Sequence, residues 1–300
     1  MRIVSLRTFV PLSAEWYGIS QWINKLDVSS NLMNSKKAII VASFGTSYNE
    51  TRAKTIDRIE QDIADSFPDW DVKRAFTSKM IIRKLEKRDG LKIDYIDEAI
   101  ERLIDEGYTE VIIQPTLVMN GIEYEDIYHI SHKYKGSFDR IYVGTPLLSF
   151  ERDFDEMTDI IINEFREESK GICGKESALV LMGHGTEHYA NGAFPELQLK
   201  LYLSDCKDVV ITTVEGFPGF KDLKKMVGDI HCKDVALLPL MLVAGDHAIN
   251  DMAGDEPESL KSTLMGLGYE VHPIVKGIAE YESIRRMFVR HVKEAMESSH

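Results

Sequence analysis

Three residues in the second half of the chain have side chains of the kinds that bind metal ions. His184 and Glu215 each directly follow an apolar run, and His247 lies shortly after a third such run. Two neutral imidazoles and one carboxylate suit a divalent first-row ion such as cobalt, nickel, iron or zinc, and three protein ligands leave coordination positions open for exchange. Taken singly, a His after a strand is more often a hydrogen-bonded loop residue, and Glu215 alone is more typical of a solvated carboxylate. Together they predict an exchangeable metal site.

The second half of the chain repeats the strand pattern of the first half. Three segments match in the same order, which is hard to obtain by chance. The repeat therefore indicates two similar domains. The matched segments are ALVLMGHGT (178–186) with AIIVASFGT (38–46), DVVITTVE (208–215) with DVKRAFTS (71–78), and DVALLPLMLVAGDH (234–247) with EVIIQPTLVMNGIE (110–123).

The candidate ligands stand where the two halves differ. Each of them replaces a different residue type at or after the carboxyl end of a predicted strand, so only one domain has this set of side chains. Because the carboxyl ends of parallel strands meet at one edge of a sheet, we expect the three side chains to lie on one rim. The replaced pairs are His184 for Phe44, Glu215 for Ser78 and His247 for Glu123.

Apolar runs alternate with amphipathic stretches from Lys36 onward. The run at 38–45 is typical of a buried strand, and residues 49–67 have apolar side chains at helical spacing. Strands separated by helices imply parallel sheets. The predicted fold class is α/β, with two similar domains, each a parallel sheet flanked by helices, and a cleft between them. We predict an extension of unknown role at 1–32, an N-terminal α/β domain at 33–165, and a C-terminal α/β domain at 176–300 that contains the metal ligands.

Composition excludes several classes of protein. The 300 residues include 49 acidic and 36 basic side chains, a net charge of −13, which disfavours a nucleic-acid partner. No apolar run approaches the roughly 20 residues of a membrane-spanning helix, so we predict no membrane partner. The three cysteines have no CxxC spacing, and the N-terminal residues lack a clear signal-peptide pattern. Both features favour the cytoplasm.

Five motifs identify a family resemblance that covers the chain from about Met33 to Met296. The chain resembles the anaerobic cobalt chelatases of vitamin B12 biosynthesis, which share a structural class with ferrochelatase. The last motif is highly specific, and the resemblance places the metal site at the three residues that the internal comparison selected. The motifs are VASFGTSYNET (41–51), RAFTSKMIIRKLEKRDG (74–90), NGIEYE (120–125), LMGHGTEHYA (181–190) and LPLMLVAGDHAINDMAGDE (238–256).

The resemblance implies insertion of Co²⁺, as a substrate, into sirohydrochlorin or its precorrin-2 precursor. We expect His184 and His247 to hold the ion with Glu215, and His184 also to accept pyrrole protons, since imidazole titrates near neutrality. Glu123 is a second candidate for proton removal, or else a surface carboxylate. No organic cofactor is expected.

A polycarboxylate macrocycle needs a local basic patch in an acidic protein. Residues 73–88 contain seven Lys or Arg and the single acid Glu86. We expect Arg83 to bind substrate carboxylates, because a guanidinium matches their geometry. Ser43 and Phe44 are also predicted to contact the substrate.

Alternative functions remain open at the level of sequence. A nickel or iron chelatase of the same fold would use similar ligands, because His and carboxylate side chains select poorly among these ions. A non-catalytic metal-binding or delivery protein could also have two lobes around a cleft. His188 invites an HxxxH interpretation with His184, and the acidic run 251–258 is interpreted as a solvated face. A homo-oligomer is compatible with the sequence.

Overall fold

The first half of the chain forms a parallel sheet. The structure, a computed structural model, describes residues 35–228 and 230–298. The strands are β1 (Lys37–Ser43), β2 (Asp71–Phe76), β3 (Glu110–Pro115) and β4 (Arg140–Val143), in the order β2-β1-β3-β4. β1 pairs with β2 on one side and with β3 on the other, and helices cover both faces. This explains why residues 38–43 are buried without interruption.

Amphipathic stretches between these strands form helices. They are α1 (Asn49–Lys54), α2 (Ile56–Ser66), α3 (Lys79–Asp89), α4 (Ile96–Asp105) and α5 (Ile122–Lys133). The single helix expected over 49–67 is interrupted at Thr55, whose hydroxyl donates to the carbonyl of Thr51 at 2.5 Å. A threonine hydroxyl that bonds to the carbonyl one turn earlier competes with the helix and bends it.

A long helical segment leads to a second parallel sheet. α6 (Glu151–Ile160) continues through a π turn (Ile161–Phe165) into α7 (Arg166–Cys173). The second sheet has the order β6-β5-β7-β8. Its strands are β5 (Ala178–Gly183), β6 (Val209–Thr213), β7 (Asp234–Pro239) and β8 (Glu270–Pro273). One helix follows each strand in turn, namely α8 (Ala193–Leu203), α9 (Phe220–Met226), α10 (Leu260–Gly266) and α11 (Glu282–Ser298).

The two sheets have the same topology. In each, the first strand of the half lies between the second and the third, and all neighbouring strands are parallel. This confirms the predicted α/β class with two similar sheets. We call the first sheet with α1–α5 the first lobe and the second sheet with α8–α10 the second lobe.

Helices cross between the lobes. α11, the last helix of the chain, packs against α2, β3 and β4 of the first lobe, and α7 packs against β5 and β7 of the second lobe. One hydrophobic cluster contains Val41 of β1 and Leu181 of β5, so the lobes share a core. The domain boundaries at 165 and 176 remain a prediction, and the extension at 1–32 lies outside the described residues.

A buried ion pair fixes α11 to α6. Asp153 of α6 is fully buried, and its carboxylate lies 3.2 Å from Nε2 of His291 and accepts a hydrogen bond from Arg290 at 2.9 Å. Burial alone would raise the pKa of Asp153, but the hydrogen bonds from His291, Arg290 and the backbone of Phe150 hold this pKa well below its usual range. α11 is therefore held partly by a charge.

Protonation of Asp153 should weaken the fold in acid. Because its pKa is depressed in the folded state, the carboxylate contributes stability above the unfolded pKa of about 4, and this contribution is lost as the pH falls below that value. Asp153→Asn should lower the free energy of unfolding at pH 7 by about 3 kcal/mol. It should also reduce the pH dependence of the thermal midpoint between pH 5 and pH 3.

Asp155 is a matched control on the same helix. Its side chain is 63% exposed and pairs with Lys200. Asp155→Asn should change the stability at pH 7 by less than about 1 kcal/mol. Equal effects of the two substitutions would contradict a special role for Asp153.

Among the described residues, no helix combines the length and the apolar character that crossing a membrane requires.

Candidate metal and substrate site

Two histidines meet at the carboxyl edge of the second sheet. His184 directly follows β5, and His247 lies in the segment after the neighbouring strand β7. Their ring centroids are 4.6 Å apart, and the ring planes are nearly perpendicular, at 88°. His184 is exposed, and the side chain of His247 is 40% exposed. The structure thus brings together two of the three predicted ligands at a surface that a metal ion can reach.

The turn after His184 can be built only with glycine. Gly185 has a φ of +79°, a left-handed conformation, and a Cβ atom there would overlap the carbonyl oxygen of Glu215 and lie 2.6 Å from its carbonyl carbon. This close approach lets the backbone N–H of Glu215 donate to the carbonyl of His184 at 2.7 Å. Gly185 therefore sets the distance between the segments that contain His184 and Glu215.

Both imidazoles have one ring nitrogen engaged by an oxygen acceptor. Nδ1 of His184 lies 2.9 Å from the carbonyl oxygen of Gly185, and Nδ1 of His247 lies 2.6 Å from the Asp251 carboxylate. Because these oxygens accept hydrogen bonds, each Nδ1 carries the proton, and in the neutral ring the lone pair is on Nε2. No described residue hydrogen-bonds to either Nε2. Metal-binding histidines show this arrangement, with the outer nitrogen held by an acceptor.

The side chain of Glu215 is not grouped with the two histidines as a three-residue metal-binding set. The backbone of Glu215 adjoins His184 and the residue is exposed. However, within residues 35–228 and 230–298, no three His, Cys, Asp or Glu side chains are grouped as a metal-binding set. The assignment of Glu215 as the third ligand therefore stays a prediction.

Asn191 ties together the two segments that contain His184 and Glu215. Its Oδ1 accepts from the backbone of Thr186 at 3.1 Å, and its Nδ2 donates to the carbonyl of Phe217 at 2.6 Å. Asn191 could not be predicted from the sequence, because a single Asn between two motifs has no distinguishing spacing. The bridge orders the rim on which the predicted ligands lie.

The first lobe reaches the segment that contains His247. Tyr48, in the loop after β1, donates from its hydroxyl to Asp246 at 2.6 Å, and this hydrogen bond raises the pKa of Tyr48.

On another part of the rim, Nε2 of His188 lies 3.3 Å from the carboxylate of Glu125 on α5. His188 thus contacts the first lobe, and its Nδ1 accepts from the backbone of Ala190.

The predicted basic segment is divided between β2, which contains Lys73 and Arg74, and helix α3, which lies beside the loop after β1. Arg88 donates to the carbonyl of Ser47 at 2.7 Å, and Nζ of Lys84 lies 6.0 Å from the centroid of the Tyr48 ring. Since Tyr48 in turn bonds to Asp246, the helix is connected to the segment that contains His247. Arg83 is exposed on α3, and no hydrogen bond or ion pair engages it among the described residues. Its predicted role as a carboxylate contact remains open to test.

The other predicted substrate and proton residues lie at the same edge of the first sheet. Glu123 is exposed in the first turn of α5, just after β3. Phe44 is 47% exposed at the end of β1. Ser43 is fully buried, and its hydroxyl lies 2.6 Å from that of Thr116, so the geometry offers no support for its predicted contact with substrate. Ser43 instead links β1 to the end of β3.

Large apolar side chains are exposed after the carboxyl ends of six strands, three in each lobe. Several exposed apolar side chains at one edge of a sheet indicate a ligand or partner site more often than a single exposed apolar residue does. Of these side chains, only that of Phe44 was predicted from the sequence to contact the substrate. In chain order they are Phe44 after β1, Met80 after β2, Ile122 after β3, Tyr189 after β5, Phe217 after β6 and Ile249 after β7.

Solved structures of similar fold include two proteins of low sequence identity. SirB from Bacillus subtilis, solved with Fe³⁺, has a TM-score of 0.60 and 15% identity, and the match covers 88% of this chain and 97% of that one. CbiX, the terminal enzyme of sirohaem biosynthesis in denitrifying bacteria, has a TM-score of 0.51 and 16% identity, over 87% of this chain and 99% of that one. These likenesses support the fold.

Sequence comparisons are more specific. The chain is 40% identical over 261 residues to the sirohydrochlorin cobaltochelatase of Salmonella typhimurium, which covers 87% of this chain and 97% of that protein. It is 30% identical over 276 residues to the sirohydrochlorin cobaltochelatase CbiKC of Nitratidesulfovibrio vulgaris, which covers 91% of this chain and 95% of that protein. The sequence model of the cobalt chelatase (CbiK) family matches residues 37–297. This chain therefore belongs to the CbiK cobalt chelatase family.

Proposed function

We propose that this protein inserts Co²⁺ into sirohydrochlorin, or into its precorrin-2 precursor, in anaerobic cobalamin biosynthesis. The observation that carries the proposal is the pair His184 and His247, whose rings meet at the rim with both Nδ1 atoms engaged. Family membership supports it, because the relatives described above are named sirohydrochlorin cobaltochelatases.

His184 and His247 hold the incoming ion through Nε2, and Glu215 supplies the carboxylate. An imidazole pair with one carboxylate binds Co²⁺ while leaving coordination positions open. Open positions are needed because the ion must leave the protein for the four nitrogens of the macrocycle. The exposure of His184 supports this role, since a closed site would hold the ion too firmly for transfer.

The rim offers both surfaces that a polycarboxylate macrocycle needs. The flat apolar faces of the macrocycle are suited to contact exposed side chains such as Phe44 and Phe217. The carboxylates of the macrocycle are suited to bind the basic helix α3, where Arg83 makes the bidentate contact. The two kinds of contact together orient the ring, because apolar contacts act on its faces and charges act on its edge.

Insertion releases two protons. As two pyrrole N–H bonds break, both nitrogen electron pairs pass to cobalt, and each proton needs an acceptor. Once the ion has left His184, its Nε2 lone pair is free to accept one proton. The second passes to Glu123 on the first lobe or to water. The loss of two protons offsets the 2+ charge of the ion, so the metallated core is neutral and the positive charge leaves with the two protons.

Arg83→Ala should raise the Michaelis constant for sirohydrochlorin by about 10- to 100-fold and leave that for Co²⁺ nearly unchanged. A lost charge-assisted bidentate contact is worth about 1.5 to 3 kcal/mol, which sets this scale. Steady-state kinetics with each substrate varied in turn measures both constants. Arg286→Ala is the control, because Arg286 is exposed on α11 and pairs with Glu282. The opposite ranking of the two constants would remove Arg83 from the substrate site.

An absorption assay tests the proposal directly. Purified protein is mixed with sirohydrochlorin and with Co²⁺, Ni²⁺ or Fe²⁺, and the spectrum of the macrocycle is followed against protein-free controls. A cobalt chelatase should speed the spectral change most with Co²⁺. Faster change with Ni²⁺ or Fe²⁺ would indicate a chelatase of different metal preference. Cobalt binding without any acceleration would indicate a metal-binding or delivery protein.

The cysteines support a cytoplasmic location for this reaction. Cys173, Cys206 and Cys232 are all free thiols. Unpaired thiols are more typical of a reducing compartment than of an oxidising one.

A further inference from the structure

Asp251 is a carboxylate next to the candidate site that has no role in the proposed reaction so far. Its Oδ2 lies 2.6 Å from Nδ1 of His247, a distance typical of a strong charge-assisted hydrogen bond. The two residues are four positions apart, which places them on one face of a helical turn. In the sequence, Asp251 is the first residue of the acidic run 251–258, which is typical of a solvated face.

The turn that contains Asp251 is anchored in the core. Residues Ala248–Met252 form a π turn, and both Ala248 and Met252 are fully buried. A buried residue on each side of the turn limits its movement, so the Asp251 carboxylate is presented from a fixed backbone. The neighbouring acid Asp246 is engaged by Tyr48 of the first lobe. Asp251 is therefore the carboxylate that engages His247.

The same feature occurs at His184 by a different route. There, the acceptor of the Nδ1 hydrogen bond is the backbone carbonyl of Gly185, at 2.9 Å. Two histidines in ring contact thus each have Nδ1 occupied, one by a backbone oxygen and one by a side chain. If the two histidines were neighbours by chance, one of them could have a hydrogen bond at Nδ1, but there would be no reason for both to have one. Only the acceptor at His247 can be removed by substitution.

We propose that Asp251 is a positioning residue that holds His247 in the Nδ1–H tautomer and fixes its ring, so that Nε2 is available to bind the incoming metal ion. The inference rests on the proposed function, because it assumes that His247 is a metal ligand. Asp251 itself does not contact the ion or the macrocycle. It acts through His247, as carboxylates behind metal-binding histidines do.

Two substitutions separate the contributions of the hydrogen bond and the charge. Asp251→Ala removes both, and it should raise the Michaelis constant for Co²⁺ by about 10- to 100-fold with little change in that for sirohydrochlorin. Asp251→Asn keeps an oxygen that can accept from Nδ1, so it should restore part of the loss. Asp255→Ala is the matched control, because this acid follows in the same segment but is 93% exposed and pairs with Lys261. It should leave both constants unchanged.

A second readout needs no metal and no turnover. Nitrogen NMR of the metal-free full chain, labelled at histidine, distinguishes Nδ1–H from Nε2–H rings, and His247→Ala assigns the signal. His247 should be a fixed Nδ1–H ring in the unsubstituted protein and in Asp255→Ala. In Asp251→Ala it should exchange between both tautomers.

The outcomes distinguish this inference from the proposed function. If His247→Ala abolishes cobalt insertion while Asp251→Ala changes neither the tautomer nor the Michaelis constant for Co²⁺, Asp251 has no positioning role and the proposed function stands. If His247→Ala leaves cobalt insertion intact, the ligand assignment fails, and the inference fails with it. A loss of tautomer control together with weakened use of Co²⁺ supports both.

Discussion

His184→Ala should lower the rate of cobalt insertion by about 10²- to 10⁴-fold. This substitution removes a proposed metal ligand and the proposed proton acceptor at once, whereas His247→Ala removes a proposed ligand only. We therefore expect both variants to raise the Michaelis constant for Co²⁺ and His184→Ala to have the lower turnover number at saturating Co²⁺. The measurement is the metal-dependent absorption change of sirohydrochlorin, recorded over a range of cobalt concentrations.

His272 provides the control for this experiment. It lies on β8 at the edge of the second sheet, where Nε2 is 2.8 Å from the carboxylate of Asp234. His272→Ala removes an imidazole–carboxylate pair that is outside the rim, so cobalt insertion should stay close to that of the unsubstituted protein. If His184→Ala kept a near-normal rate and cobalt dependence, His184 would be neither ligand nor proton acceptor.

Gly185→Ala should reduce both activity and stability. A left-handed backbone costs alanine roughly 1–2 kcal/mol, and the new Cβ would also overlap the backbone of Glu215. Because backbone atoms cannot rotate away, the segments after β5 and β6 must separate, and we expect a total loss of about 3 kcal/mol. A displacement of about 1 Å between His184 and Glu215 should slow insertion by about 10²-fold.

Gly90 is a control of matched conformation. It ends α3 with a φ of +67°, and a Cβ there would have no neighbour within 4 Å. Gly90→Ala thus has the conformational cost without the overlap, and it should lower the thermal midpoint less than Gly185→Ala does. Equal losses of stability for the two variants, with insertion unaffected in both, would show that the close approach at Gly185 is not needed.

Much of the fold could be predicted from the sequence, because the hydrophobic pattern within each segment determines whether it forms a strand or a helix. Apolar runs such as that of β1 are buried strands, and the intervening amphipathic stretches are helices that cover them. The repeat of strand segments corresponds to the repeat of sheet topology. The interrupted helix at Thr55 was missed, since the outcome of competition between a hydroxyl and the helix backbone depends on the geometry at that turn.

Part of the candidate site could also be predicted, because the order of the strands determines which strand ends are neighbours. His184 and His247 follow adjacent parallel strands, whose ends share one edge, so their meeting follows from strand order. Ser43 was expected to contact the substrate, and in the structure its side chain is fully buried against Thr116. A one-residue difference along a strand moves a side chain to the other face, and sequence patterns seldom locate a strand end that closely.

Periodicity and order along the chain are enough to predict the α/β class, the internal repeat and the two histidines at neighbouring strand ends. The contacts between distant segments are visible only in three dimensions. Tyr48 bonds to Asp246 across 198 positions, and α11 packs on the first lobe although it follows the second. The tertiary structure also shows that Asp251 engages His247. Such contacts depend on how lobes and side chains pack in three dimensions, and no local pattern specifies them.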